Sequence, residues 1–315
     1  MDITAIGELL MDMTPKTDEG VTCFVPNPGG APCNFLAIAS VTGVSTRFIG
    51  KVGDDRFGGL LKQTLDSAGI LTDGLVLDAR YPTTLAFVHL NESGERSFSF
   101  YRKYCADVSL ELDDVDLETV KNTRVMHFGS LSFTDEPIRS TVLEVVKAAK
   151  ESGAVLTYDP NYRPLLWDNP QTAVEGMKLG LRLADIVKVS DEEALLISGK
   201  PTLEEAVDVL LSYGVKMICM TLGGEGAAIY TNSYRRHIGG FESKVVDTTG
   251  AGDVFFGAFV SYLAKNTTFD FPIGESHVVK AATYANAAAS LCVESYGGIP
   301  SIPSYDAILA RMSNG

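Results

Sequence analysis

A chain of 315 residues, 45% hydrophobic and 21% charged, can bury one large core and has the balance of a soluble globular protein. Its formal net charge of −14, with no basic stripe, argues against nucleic acid or an anionic membrane surface as partner. No apolar run is long enough to span a bilayer, and Cys23, Cys33, Cys105, Cys219 and Cys292, odd in number and without a C-x-x-C pair, argue against a disulfide framework or zinc cage and for a reducing cytosol.

The first residues carry acids within their apolar run and no positive region ahead of it, so no secretory signal is expected. Residues 2–11 read as a buried first strand ending on Asp12. Ligands of open α/β sheets bind along that edge, so Asp12 either holds sugar hydroxyls or caps a turn. In the loop before the helix around residues 35–39, Gly29 and Gly30 permit close backbone approach. Asn34 suits a polyhydroxylated ligand or caps that helix. Residues 47–58 form a strand, a Gly/Asp turn and a helix start, with Asp54 or Asp55 as cap. Residues 83–90 and 97–101 alternate around a hairpin at 91–95, a separate layer interrupting the βα pattern. Arg102, at its end, either reaches a substrate or phosphate or lies solvated on an edge strand.

Residues 125–130 read as a strand, 136–151 as a helix with apolar Ile138, Val142, Val145, Val146 and Ala149, and 155–158 as a strand entering a Pro-bounded loop. Arg163, in that loop, can steady a transferring phosphate by charge-assisted hydrogen bonds. Residues 184–193 give a strand and an acidic helix start, for which capping is a strong reading of Ser190 and Glu193. Residues 217–230 read as strand, glycine turn, strand, and 241–246 as a short strand.

The densest chemistry is Asp247-Thr248-Thr249-Gly250-Ala251-Gly252-Asp253, a turn that opens an apolar helix. Backbone N–H groups at such a start have no intrahelical partner, so Gly250, Ala251 and Gly252 make an anion cradle that small side chains leave open. Asp253, beside it, can accept a hydroxyl proton while the amides neutralise developing charge, as a kinase requires. The GxxxxGK[ST] phosphate loop is missing, so ATP chemistry here would proceed without a Walker lysine. The last long helix, about residues 277–293, is rich in alanine and packs closely.

Gly29-Gly30-Ala31-Pro32-Cys33-Asn34 and the 247–253 stretch, in this order and separation, resemble the paired signatures of the ribokinase-like (PfkB) sugar kinases, and the similarity runs through essentially the whole chain. The resemblance implies an α/β fold, a mostly parallel sheet flanked by helices with a small β-sheet lid. The main domain would take residues 1–12, 29–82 and 105–315 and the lid 13–28 and 83–104, closing over the sugar and supporting a homodimer. It implies a cytoplasmic enzyme that transfers the γ-phosphate of ATP to the primary hydroxyl of fructose, with Mg2+ as cofactor and K+ as a candidate second ion, and with Asp253 as base. Asp12, Gly29, Gly30, Asn34 and Arg102 would hold sugar; Ser190, Glu193, Thr221, Gly223, Gly226, Gly252 and Asn286 the nucleotide. Glu193 would reach magnesium through water, and Asp247, Thr249, Gly297 and Ser301 would hold a monovalent cation. Family members commonly carry Asn-x-x-Glu where this chain has Ser190-x-x-Glu193. A 2-keto-3-deoxygluconate kinase, a catalytically silent sugar-binding regulator, and a non-nucleotide enzyme on a general α/β fold are the competing readings.

Overall fold

The computed structural model describes residues 1–18, 21–90 and 96–314. β1 (Ile3–Ile6) opens the main sheet; β2 (Leu10–Asp18) and β3 (Val21–Gly29) leave it; β4 (Thr46–Gly53) and β5 (Leu71–Asp78) return to it. β6 (Leu85–Leu90) and β7 (Arg96–Tyr101) join β2 and β3. β8 (Val125–Gly129), β9 (Val155–Asp159), β10 (Ile186–Ser190), β11 (Met217–Thr221), β12 (Ala227–Thr231) and β13 (Arg235–Ile238) complete the main sheet. The helices are α1 (Ala31–Val41), α2 (Arg56–Ser67), α3 (Leu117–Lys121), α4 (Ile138–Glu151), α5 (Pro170–Leu181), α6 (Asp191–Ser198), α7 (Leu203–Ser212), α8 (Ala251–Asn266), α9 (Glu275–Cys292) and α10 (Tyr305–Asn314).

In the main sheet, ordered β13-β12-β11-β10-β9-β8-β1-β4-β5, every pair from β11 to β5 is parallel, while β12 and β13 add an antiparallel edge. Both faces are buried, and the period-2 alternation of the strands shows it. Met217 and Cys219 of β11 join one apolar cluster with α1, α8 and α9, whereas Ile218 and Met220 join the other with α4, α5, α6 and α7. The chain winds from β1 first toward β4 and β5, then back through β8 to β11. Strand order therefore reverses at β1, where such folds open a crevice.

The small sheet, ordered β3-β2-β6-β7, has a parallel β2–β6 pair between two antiparallel ones. The hairpin turn expected at 91–95 lies outside the described residues. Residues 2–11 are not one strand: β1 stops at Ile6 and β2 begins at Leu10 in the other sheet. The cause is Gly7, whose φ of 154° is accessible to glycine and where a Cβ would stand 2.9 Å from Pro32 Cγ. Asp12 consequently pairs with Asn27 and Ala86 in the small sheet and does not end a main-sheet strand. Residues 241–246 form no strand; the N–H groups of Val246 and Asp247 both donate to the carbonyl of Val293, just past α9, so this segment is pinned to a helix end. Among the described residues no helix is long and apolar enough to cross a membrane.

Candidate active site

Gly250, at φ 78°, turns the chain into α8 and puts Asp253 in the first helical turn, only 8% exposed. Asn34, on α1, donates from Nδ2 to Asp253 Oδ2 at 2.9 Å. Gly257 makes this meeting of helices possible, since a Cβ there would lie 2.3 Å from the carbonyl oxygen of Phe35. Behind the pair, the His127 ring stacks on Phe35 at 3.8 Å and meets Phe256 edge-on, wedging α1 and α8 against β8.

Two cavities adjoin at Asp253. The larger, about 630 Å³, is lined by Lys188, Ser190, Glu193, Thr248 and Gly252 among others. The smaller is lined by Glu8, Asp12, Gly30, Asn34 and Phe100. Asn161, Arg163, Thr249, Gly250 and Asp253 line both, so one carboxylate, one guanidinium and one helix start face the two spaces together. Gly29 makes room for Asp12, whose Oδ2 would lie 2.3 Å from a Cβ at that position.

Asp253 shares its surroundings with two cations, Lys188 and Arg163, and two further carboxylates, Asp159 and Glu193. Lys188, in the middle of β10, is buried and ion-paired with Asp159 at 2.9 and 3.0 Å. Its Nζ lies 3.0 Å from where a Gly252 Cβ would stand, beside the first turn of α8. Burial raises Asp159 to about 7, partly countered by the Lys188 charge. Lys188 in turn is held protonated by Asp159 and its acidic neighbours against the cost of burial. Burial also raises Asp253; the Lys188 charge, the Asn34 hydrogen bond and the Arg163 charge pull it back.

Comparison with known proteins fits this geometry. Residues 1–305 match the model of the pfkB family carbohydrate kinases. The chain belongs to that family. It is 38% identical over 309 residues to a probable fructokinase-5 of Arabidopsis thaliana, covering 96% of this chain and 94% of that one. The fructokinase of Xylella fastidiosa with bound ATP superposes with a TM-score of 0.93 at 29% identity, covering 99% of this chain and 98% of that one. The fructokinase of Vibrio cholerae O395 in its fructose-, ADP- and calcium-bound form gives a TM-score of 0.90 at 29% identity, with 99% of both chains covered.

Other residues singled out in the sequence of this kinase fall in several places. Ser190 and Glu193 line the larger cavity, but they also close a reciprocal cap on α6: Ser190 Oγ accepts from Glu193 N–H and Glu193 Oε2 from Ser190 N–H. Glu193 Oε1 accepts from Tyr162 N–H, fixing the loop that carries Arg163. Asp247 receives Thr249 N–H on Oδ1 and Gly297 N–H on Oδ2, while Ser301 Oγ lies 3.0 Å from Cys292 Sγ; these loops form one knot behind the start of α8.

Thr221, Gly223, Gly226 and Asn286 do not line the larger cavity. Gly226 is packed against backbone, 2.3 Å separating a Cβ there from Ile238 O, and the Asn286 amide donates to the carbonyls of Ile238 and Gly239. Arg102 is neither solvated nor on the cavity wall. It is buried, with Nε on Asp107 at 2.6 Å, Nη1 on Thr134 and Nη2 on the Leu131 carbonyl. Of Asp54 and Asp55, Asp55 caps α2, accepting from Gly58 N–H.

Sequence reading passed over Lys188 and Glu8. The signal for Lys188 was present: a lone cation in the apolar run Ile186-Val187-Lys188-Val189 must be buried and paired.

Proposed function

We propose that this chain transfers the γ-phosphate of ATP to the primary hydroxyl of fructose, with the nucleotide phosphates in the larger cavity and the sugar in the smaller. The observation that carries the reading is the position of Asp253, a buried carboxylate at the junction of both cavities, in the same turn as Gly250 and Gly252, which line the larger cavity; the Ala251 N–H between them donates to the Thr248 carbonyl at 3.2 Å. The fructokinases it resembles, one with ATP and one with fructose and ADP, support the choice of substrates.

In this mechanism Asp253 accepts the proton of the attacking hydroxyl, and Asn34 aims the carboxylate. The α8 amides, Arg163 and Lys188 meet the charge spreading over the phosphoryl oxygens, so catalysis rests on positioning and electrostatics. Gly29 and Gly30 let the backbone come near the sugar, with Asp12 on its hydroxyls. Magnesium would be carried by the nucleotide phosphates and waters, with Glu193, on the larger cavity's wall, reached through water. When bound, Mg2+ supplies charge neutralisation at the phosphates. The knot of Asp247, Thr249, Gly297 and Ser301 is the proposed seat of a monovalent cation such as K+.

We assign residues 13–28 and 83–104 to a lid and the rest to the main domain; closure would exclude water from phosphoryl transfer. Val21, Phe24, Val25 and Tyr101 expose apolar surface on the small sheet, which supports a homodimer through the lid in a cytoplasmic enzyme. The sugar-acid reading rests on Arg102 and the 159–163 segment; Arg102 is engaged by Asp107, while Arg163 lines both cavities. The test is ADP release with ATP-Mg and a panel of fructose, 2-keto-3-deoxygluconate, ribose, glucose and adenosine. Highest kcat/KM on fructose is expected; release only with another acceptor would replace the substrate, and silence across the panel would overturn the reading.

A further inference from the structure

Glu8 sits in the break between β1 and β2, 2% exposed, on the wall of the smaller cavity. Its Oε1 accepts from the N–H of Ala31, the first residue of α1, at 3.1 Å. Its Oε2 is buried and has no hydrogen-bond partner. Buried polar atoms are almost always satisfied, and an exception in a cavity wall marks where a ligand group completes the set. The role of Oε1 is structural and accounts for only half of the carboxyl.

We propose that Glu8 is a specificity-determining residue whose Oε2 accepts a hydroxyl of a neutral sugar and whose charge turns away acidic sugars. This rests on the reading of the smaller cavity as the sugar site. The surrounding groups set its charge. Burial raises Glu8 to about 7; the Arg102 charge lowers it, and the Asp107 charge raises it. The thiol of Cys33 lies beside it on α1, itself pushed up by burial and by the charges of Glu8 and Asp253. Above neutral pH Glu8 is therefore a carboxylate. Arg102, the cation nearest in effect, has its guanidinium engaged by Asp107, Thr134 and Leu131. A sugar carboxylate entering this cavity would meet Glu8, Asp12 and Asp253, with Arg163 as the one cation on the wall among the described residues. A polyol meets the same oxygens as hydrogen-bond acceptors, which its hydroxyls satisfy.

The test is steady-state kinetics at pH 8 of the wild type, Glu8→Gln and Glu8→Ala on fructose, ribose, glucose and 2-keto-3-deoxygluconate, with Tm recorded. Glu8→Gln can still accept the Ala31 N–H, so it separates the two halves of the carboxyl. The expected result is a KM for the accepted neutral sugar raised about tenfold in Glu8→Ala and severalfold in Glu8→Gln, with kcat changed less. In Glu8→Gln the kcat/KM preference for that sugar over the sugar acid also falls. A purely capping role would leave KM and that preference unchanged in Glu8→Gln. Unchanged KM and preference in a folded Glu8→Gln, with wild-type turnover of fructose intact, overturns the assignment of Glu8 and leaves the fructose reading standing. Raised KM on a neutral sugar other than fructose upholds Glu8 and replaces fructose. Wild-type turnover of the sugar acid alone overturns both.

Discussion

Asn34 and Asp253, 219 positions apart in sequence, are joined by a 2.9 Å hydrogen bond between two helix starts. The bond ties the glycine-rich loop of the first third of the chain to the anion cradle of the last. In the proposed mechanism the carboxylate must be ionised to act, and burial raises its pKa. Activity should therefore fail on the acid side. Asn34 opposes the rise, so Asn34→Ala should move the acid limb of the kcat/KM profile to higher pH and lower activity most at the acid end. A profile of wild-type shape would separate Asn34 from the ionisation of Asp253.

Lys188 and Asp159 form a buried ion pair, and removing one partner strands the other. Lys188→Met should cost about 3–5 kcal/mol in denaturant unfolding. Adding Asp159→Asn should restore part of that stability. If Lys188 also supports the anion cradle, the double variant regains stability without regaining turnover. Restored turnover would reduce Lys188 to a structural role.

Gly252 leaves the α8 amides open and lies against Lys188. Gly252→Ala would put a methyl group 3.0 Å from Lys188 Nζ, beside the approach of the anion. The expected loss is roughly 100-fold in kcat, on the scale of one lost oxyanion donor, with Tm near the wild-type value. A fall in Tm with kcat retained would make the glycine a packing residue.

These residues differ in how far the sequence disclosed them. The cradle was legible because 247–253 combines small residues, two carboxylates and an apolar helix in one local pattern. The parallel sheet was legible for the same reason, each strand's continuous apolar run being a local property. The Asn34–Asp253 bond was not, because sequence separation hides which helix starts face each other. Arg102 was misread because its partner Asp107, five residues on, lies beyond the end of the strand; burial then turns a reaching side chain into a locked one. Asp12 was placed on the wrong sheet because an apolar run does not reveal that Gly7 breaks it. Glu8 shows no periodic signal at all, and only the three-dimensional count of hydrogen-bond partners singles it out.

The measurement closest to the central claim is fructose-dependent ADP release from ATP-Mg by the wild type and by Asp253→Asn, a change that preserves shape and the contact with Asn34 while removing the base. The expected result is turnover by the wild type and a loss of about 100- to 10,000-fold in kcat, with fructose still protecting the variant against thermal unfolding. Turnover by Asp253→Asn within tenfold of the wild type would contradict the account, because no other carboxylate lines both cavities among the described residues.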